Sequence, residues 1–561
     1  MRTTLATFAL VATLGSSLIA CTNEAYDPDA PAIDPYAPRI KIVTPARGTF
    51  AGDVSKITVK GTAFDDHGVT SVQVNGVEAA LLADGTFEVD VPVEPGTFLL
   101  HAVGKDAQGN TGKETRAVVT GPMEPIAQAV PQSISAALTA QAFDAIGRGL
   151  TGFMTGPGLM QTVQPLNPVF NVGAPNGPDC LYASGSITGI SMASSSKITL
   201  APQRGGIYLD AVLDRPVVNM ALSYAAACVD GGRPISIGAT KIRITGMLKL
   251  GVNGTKFEVH LDDEDVKITG FNVELGGIPG AVVNILHLDT AIGPILAFVA
   301  ERFAVPYVNT ALDGLNETKT INVLGTMVDV KVKPARIQSD IPGVIVELDT
   351  ELRARGDSSS PGFVYVTNQV PTMDLTRAFE LAVADDAANQ LLGSFWAAKG
   401  MDVGIDLANG SYGEVGRLFD RVEMSAKVPP FVDASGPHGG ELRLTIGDLL
   451  GTFKNGPSIT TQVAINAQMK IKVVPGVSGA LRLDVGSPDV YIDILDENVD
   501  GANQLSNAQF EAVSSFGIGR IVALGSGAVG AVPLPSFGGV SVSGVDVGPR
   551  EGYVIVGGEI D

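Results

Sequence analysis

Lys241-Ile242-Arg243-Ile244-Thr245-Gly246-Met247-Leu248-Lys249-Leu250 is the stretch on which the fold class turns. Ile242, Ile244, Leu248 and Leu250 alternate with Lys241, Arg243, Thr245 and Lys249, the period-two pattern of a strand with one buried face. Val463, Ile465, Met469, Ile471 and Val473 repeat that alternation far downstream. Long strands that are apolar on one face must bury that face against another layer, and helical patterns stand ready to supply it. A helix is expected from about Ser133 to Phe153, with Ile134 and Leu138 one turn apart and Phe143, Ile146 and Leu150 at helical spacing. A second is expected near 290–305, where Ile292, Ile295, Leu296, Val299 and Phe303 share one face and Glu301 and Arg302 lie off it. The order then recurs. A helix around 386–399 carries Leu391, Leu392, Phe395 and Trp396, with Asp385 as its N-cap, and a late one near 507–524 carries Phe510, Val513, Ile521 and Leu524. Residues 130–561 therefore read as two units of similar layout, each pairing long amphipathic strands with two apolar-faced helices.

Upstream of the body, residues 39–120 read as a small β-sandwich. Ile40 and Ile42, Ile57 and Val59, Val72 and Val74, Phe87, Val89 and Val91, and Leu100 and Ala102 mark short strands. Asp66-His67-Gly68, Asn75-Gly76, Asp84-Gly85, Pro95-Gly96 and Gly109-Asn110 mark the turns between them. The runs Val69 to Gly76, Gly85-Thr86-Phe87 and Ala102 to Asn110 resemble a bacterial immunoglobulin-like domain, a module that commonly serves as a spacer or an adhesive surface. Asp65, Asp66 and Asp106 could hold a cation, but polar turn chemistry accounts for them more simply. A Pro-containing linker at 121–131 leads into the body.

The N-terminus points out of the cytoplasm. Arg2 is followed by an uncharged, apolar or small stretch from Leu5 to Ala20, too short for a good membrane span and suited to a cleaved signal. Leu18-Ile19-Ala20-Cys21 then resembles a bacterial lipobox, which implies acylation of Cys21; Thr22 after it favours the outer membrane. Residues 21–38, rich in Asp and Pro, make an extended tether. The chain has three cysteines; with Cys21 acylated, Cys180 and Cys228 remain, either bridged in an oxidising compartment or left as two buried thiols. A net charge of −21 argues against nucleic acid and against capture of anionic headgroups by charge.

Three further passages carry a resemblance for the body. Pro533-Leu534-Pro535, Gly539-Val540-Ser541-Val542 and Gly552-Tyr553-Val554-Ile555-Val556-Gly557-Gly558-Glu559 look like the closing strands of the second barrel of the tubular lipid-binding superfamily. That superfamily includes bactericidal/permeability-increasing protein, lipopolysaccharide-binding protein and plasma lipid-transfer proteins. Ala384-Asp385-Asp386-Ala387-Ala388-Asn389-Gln390-Leu391-Leu392, running on to Lys399-Gly400, looks like its strand-to-helix junction, and Cys180 and Cys228 stand where its single disulfide would be. The resemblance implies an immunoglobulin-like sandwich followed by an α+β body of two tandem tubular barrels, residues 121–335 and 336–561, each a long curved antiparallel sheet wrapped on apolar helices. It further implies that Ile134, Leu138, Phe143, Leu150, Ile292, Ile295, Val299, Phe303, Leu391, Leu392, Phe395 and Trp396 face a lipid or another elongated apolar ligand. The cationic grip of the host-defence members on lipopolysaccharide is not implied for so acidic a chain.

Other motifs recede on inspection. Gly525-Ser526-Gly527-Ala528-Val529-Gly530 fits a dinucleotide fingerprint, but Pro533 and Pro535 follow where a helix is needed. The uncharged run Ile521 to Val545 holds too much Gly and Pro for a membrane helix. Asp496, Asn498 and Asp500, with Gly501 after them, have calcium-loop spacing but lack the closing Glu, which is Asn507. Arg355-Gly356-Asp357 is too short to specify adhesion, and the five histidines are scattered without metal spacing. With no catalytic constellation and no cofactor motif, the expected function is non-enzymatic: a lipid-binding, outer-membrane-anchored lipoprotein of the cell envelope, with a protein partner for the immunoglobulin-like domain left open. The alternative is a non-catalytic surface adhesion or scaffold protein whose barrels are filled.

Overall fold

The computed structural model describes residues 37–174, 180–226, 228–274, 277, 318–323, 325–356, 360–366, 369–408, 412–434, 442–456, 458–475, 481–497, 513, 516 and 542–560. The segment holding Cys21, the helix expected near 290–305 with Ile292, Ile295, Val299 and Phe303, and Asn498 and Asp500 lie outside those residues. Of the helix expected near 507–524, Val513 and Phe516 are described, and both pack on the core of the second unit.

The chain is mostly β. Residues 39–120 form two facing sheets. One orders the strands Arg39–Thr44, Lys56–Phe64, Thr86–Pro92 and Ala80–Leu81; the other orders Thr49–Gly52, Thr111–Thr120, Gly96–Asp106, Val69–Val74 and Val77–Glu78. Alternation is strict in Lys56–Phe64 and Thr86–Pro92, so Ile57, Val59, Phe87, Val89 and Val91 face Val72, Val74, Leu100 and Val118 across the sandwich. Gly61 is held to glycine by packing, since a Cβ there would stand 2.3 Å from the Phe87 ring. Asp106 accepts from the Gln108 and Asn110 amides, and Asp65 from His67, so these acids build their own turns.

The body is organised on one seven-stranded antiparallel sheet. Its strands are β1 (Val130–Thr139), β2 (Lys319–Val323), β3 (Thr326–Asp340), β4 (Gly343–Ala354), β5 (Phe379–Ala384), β6 (Val542–Arg550) and β7 (Tyr553–Ile560), in the spatial order β2-β3-β4-β1-β5-β7-β6. The β1–β5 pair lies inside that order, with β4, β3 and β2 on one side and β7 and β6 on the other. On each side an inner strand is flanked by the closing hairpin of its own half. β1 runs directly into helix α1 (Ala140–Thr155), and β5 runs directly into helix α2 (Asp385–Ala397). Ala136 stands opposite Leu381 in this antiparallel pair, so the two helices leave the sheet at opposite ends.

Between α1 and β2 the chain adds two sheets, Phe170–Gly173, Tyr182–Ser191, Val217–Ala226, Val229–Gly238 and Asn272–Glu274 in one, and Lys197–Gln203, Gly206–Asp214, Lys241–Asn253 and Lys256–Thr269 in the other. After α2 it adds Val403–Asp406, Arg421–Ala426, Leu442–Asn455, Ser458–Pro475 and Leu481–Val485, joined by Phe431–Asp433 and Asp489–Glu497. The alternating stretches singled out in the sequence are the strands Lys241–Asn253 and Ser458–Pro475. Cys180 and Cys228 are bridged, closing the ends of two paired strands of the first unit.

Three expectations need correction. Residues 133–139 are strand, not the opening of a helix, which begins at Ala140. A separation of four puts Ile134 and Leu138 on one face under either periodicity, so their spacing could not decide between them. The linker expected at 121–131 is shorter, since Met123–Glu124 pairs with Phe363–Val364 and β1 starts at Val130. The boundary expected at 335 falls inside β3.

Candidate functional site

Each half buries an apolar helix face against its long strands. In α1, Phe143, Ile146 and Leu150 form one stripe and meet Leu200, Leu209, Ile244 and Leu248 of the first unit. Ala142 and Ala145 form a second stripe, against Phe379, Leu381 and Val556 of the central sheet. Small residues bring the helix close: a Cβ on Gly147 would stand 2.7 Å from the Ile198 carbonyl oxygen. Strand Lys197–Gln203 is an edge strand, and Thr151 satisfies one of its exposed groups, accepting from the Ile198 amide at 2.9 Å while donating to the Gly147 carbonyl at 2.8 Å.

In α2, Leu391, Leu392 and Phe395 meet Met424, Leu444, Val463, Ile465 and Met469 of the second unit. Beside that stripe runs a polar one that is also buried. The Gln390 amide donates to the carbonyls of Ile126 and Gln128 at 2.9 and 2.6 Å and accepts from the Leu352 amide at 2.8 Å. Ser394 accepts from Ala354 at 2.6 Å, and Asn389 both accepts from and donates to Val432 at 2.8 and 2.9 Å. Asp385 is not the N-cap, a position held by Ala384; its carboxyl instead accepts from the Ala434 amide at 2.8 Å. Asp386 likewise accepts from Val366 at 3.0 Å. The first turn faces packed protein rather than solvent, so these acids bind main chain of other segments.

Burial dominates their protonation. Desolvation pushes Asp385 up to about 8, with the Ala434 amide opposing and Asp386 and Asp433 adding to the rise. Asp386 is pushed up to about 7 by desolvation against the Val366 amide. Tyr553, whose hydroxyl donates to the Gln132 carbonyl at 3.3 Å, is driven up to about 12 by burial first and the acids beside it second.

The residues expected to line a ligand site fall into two separate cores. Phe143 and Leu150 lie in the first, with Ile134 and Leu138 reaching it from β1. Leu391, Leu392 and Phe395 lie in the second. Trp396 sits at the rim, its indole N–H donating to the Ala426 carbonyl at 2.8 Å and its ring 5.6 Å from Phe50 of the sandwich. Asp496 lies near the end of the strand Asp489–Glu497, opposite Gln462, while Asn498 and Asp500 lie outside the described residues. Among the described residues no group of His, Cys, Asp or Glu is placed to hold a metal ion. The Arg355 guanidinium is paired with Asp329 at 2.8 Å. The polar stripe of α2 was not singled out in the sequence, although Asp386, Gln390 and Ser394 recur at intervals of four, a spacing that by itself resembles a solvent face.

A sequence family described as glucodextranase, domain B, matches residues 38–121. No curated protein matches the chain. Among solved structures, lipopolysaccharide binding protein is similar at 12% identity and a TM-score of 0.39, covering 77% of this chain and 99% of its own. P47 from Clostridium botulinum A2 is similar at 10% identity and a TM-score of 0.27, covering 77% and 98%. The fibronectin(III)-like modules of Clostridium thermocellum CbhA are similar at 12% identity and a TM-score of 0.14, covering 35% and 92%. TM-scores this low carry no functional weight, and the chain's own geometry has to supply it.

Two outcomes are expected. Gln390→Leu keeps the bulk but strands three main-chain groups, so urea unfolding should show a loss of about 3 kcal/mol or more; a loss below about 1 kcal/mol would contradict the role given to the amide. Asp385 and Asp386 are raised above their unfolded value near 3.8, so the stability they confer is complete at low pH and lost as pH rises through about 7 to 8. Thermal unfolding should therefore occur at lower temperature at pH 9 than at pH 6, and Asp386→Asn, permanently neutral, should shrink that difference. An Asp386→Asn protein with an undiminished difference refutes the assignment.

Proposed function

We propose that this chain is an exported lipoprotein, acylated at Cys21, whose two units are tubular barrels that hold a lipid or another elongated apolar ligand. The observation that carries the reading is the central β1–β5 pair, in which β1 leads into α1 and β5 leads into α2 at opposite ends. Each half thereby lays one helix with an apolar stripe along long strands apolar on the same side. A single helix would cover a curved sheet of that length incompletely, and apolar surface left uncovered would suit an acyl chain. Each methylene taken from water into such a groove contributes about 0.8 kcal/mol. Binding of this kind needs no chemistry on the ligand and no cofactor, and an acidic surface suits a ligand recognised by its chain rather than by an anionic head. The outer membrane is the expected location.

A second reading, a scaffold with filled units, has its own support. Phe453 lies 4.9 Å from Phe419 and 6.2 Å from Phe516, ring to ring, and these aromatic rings fill part of the second core.

Native mass spectrometry with lipid extraction of the exported protein separates the two. The expected result is copurified lipid, exchangeable for a fluorescent fatty acid with a Kd on the order of micromolar that depends weakly on salt. Folded protein that carries no lipid and takes up no probe leaves the scaffold reading. Export and anchoring are checked independently: an alkyne fatty acid should label the wild type and leave Cys21→Ser unlabelled. A labelled serine variant would place the acyl group elsewhere.

A further inference from the structure

The immunoglobulin-like sandwich is not a free spacer. Leu99, Ala117 and Val119 pack on Val428 and Val364, and the Thr97 hydroxyl donates to the Pro429 carbonyl at 2.6 Å. The approach is close enough that a Cβ on Gly447 would stand 2.3 Å from that of Ala117. At the centre of this joint lie five charged side chains, none more than 13% exposed. Arg47 of the sandwich pairs with Asp448 and, at 3.0 Å, with Asp493, both from the second unit, and with its own Glu114 at 3.1 Å. Arg116 pairs with Glu114 at 2.7 Å. The acids also accept across the joint, Asp493 from the Thr115 amide and Asp448 from that of Ala117. Three carboxylates against two guanidiniums leave one negative charge in excess in a place closed to water, and burying an uncompensated charge is costly.

We infer that the joint between the sandwich and the second unit takes up one proton when it closes, so that mildly acidic conditions tighten it and alkaline ones weaken it. Asp493 is where the proton resides. Burial pushes it up to about 7, outweighing Arg47 and the Thr115 amide, with Glu114 adding to the rise. Burial raises Asp448 as well, against Arg47. Burial opposes the charge on Arg47, yet Asp448, Asp493 and Glu114 together strengthen it, so the arginine stays ionised. The remaining groups facing the joint do not cancel the excess: Arg443, which reaches across to Glu94 at 3.3 Å, is matched by that acid and by Asp433 at 2.8 Å. His101, 4.0 Å from Tyr491 ring to ring, is driven toward its neutral form by burial, with Asp489 opposing and Lys113 assisting. Opening returns Asp493 to water and to the ordinary carboxylate range. Between about pH 4 and pH 7 the closed joint holds a proton that the open one does not, and the closing constant rises as pH falls through that window.

The chain contains one tryptophan, and its contact with Phe50 makes it a reporter of the joint. The experiment follows Trp396 emission through a urea series at pH 8 and pH 6 in the full chain, with far-ultraviolet circular dichroism to separate opening from unfolding. For wild type the closing constant should increase about tenfold between pH 8 and pH 6. Asp493→Asn and Glu114→Gln each remove one negative charge, so each should close more tightly at pH 8 and respond less to pH. Asp385 and Asp386 titrate alike in all three proteins, so the comparison cancels them. The inference fails if wild type and both variants share one pH response, or if wild type opens rather than tightens between pH 8 and pH 6.

Discussion

Burying the polar stripe of α2 is tolerable only if every donor and acceptor on it finds a partner, because each unmatched group in the interior costs about 1–3 kcal/mol. The partners come from four places: Ile126 and Gln128 before β1, Leu352 and Ala354 on β4, Val366 in the following loop, and Val432 and Ala434 beyond the helix. One helix thus fixes the register of segments that are far apart in sequence. An apolar helix of equal volume would fill the same space but could slide or rotate over it. The directional bonds of Asp385, Asp386, Asn389, Gln390 and Ser394 leave one seating for the helix, and through β4 they tie it to the first unit as well.

The two halves solve the same covering problem with different chemistry. α1 uses small residues, with Ala142, Ala145 and Gly147 allowing close approach and Thr151 closing an open sheet edge. α2 uses polar side chains to bind main chain. The central sheet needs both, because β1 and β5 are each other's neighbours and each launches its helix from the opposite end. A shift of one residue between those strands would turn Ile134, Ala136 and Leu138 away from the helical layer and bring Ser133 and Ser135 into it.

Period-two alternation was legible wherever one strand face met solvent, as in Lys56–Phe64, Thr86–Pro92 and Lys241–Asn253. It faded where both faces are covered. From Ser133 onward β1 is covered on both sides and carries small and apolar residues, and its Ile134–Leu138 spacing suits a helix equally well. The apolar residues of α1 and α2 were legible for the same reason the long strands were: a stripe of Leu and Phe can face only a core. The polar stripe of α2 was hidden because an Asp, a Gln or a Ser carries no mark of whether its partner is water or a distant amide. Docking of the sandwich was equally hidden, since it depends on Arg47 meeting acids some 400 positions later.

That separation bears on how the molecule assembles. Arg47 and Asp448 are 401 residues apart and Arg47 and Asp493 are 446 apart, while the sandwich closes its own core within its first eighty or so residues. Made from the N-terminus, the chain completes the sandwich first, with Glu114 and Arg116 at its surface, and the strands that receive it emerge last. The joint is therefore a late event whose loop-closure entropy is offset only after the second unit has its sheet. Until then the face bearing Leu99, Ala117 and Val119 is uncovered, and the charges around it keep that apolar patch soluble while it waits.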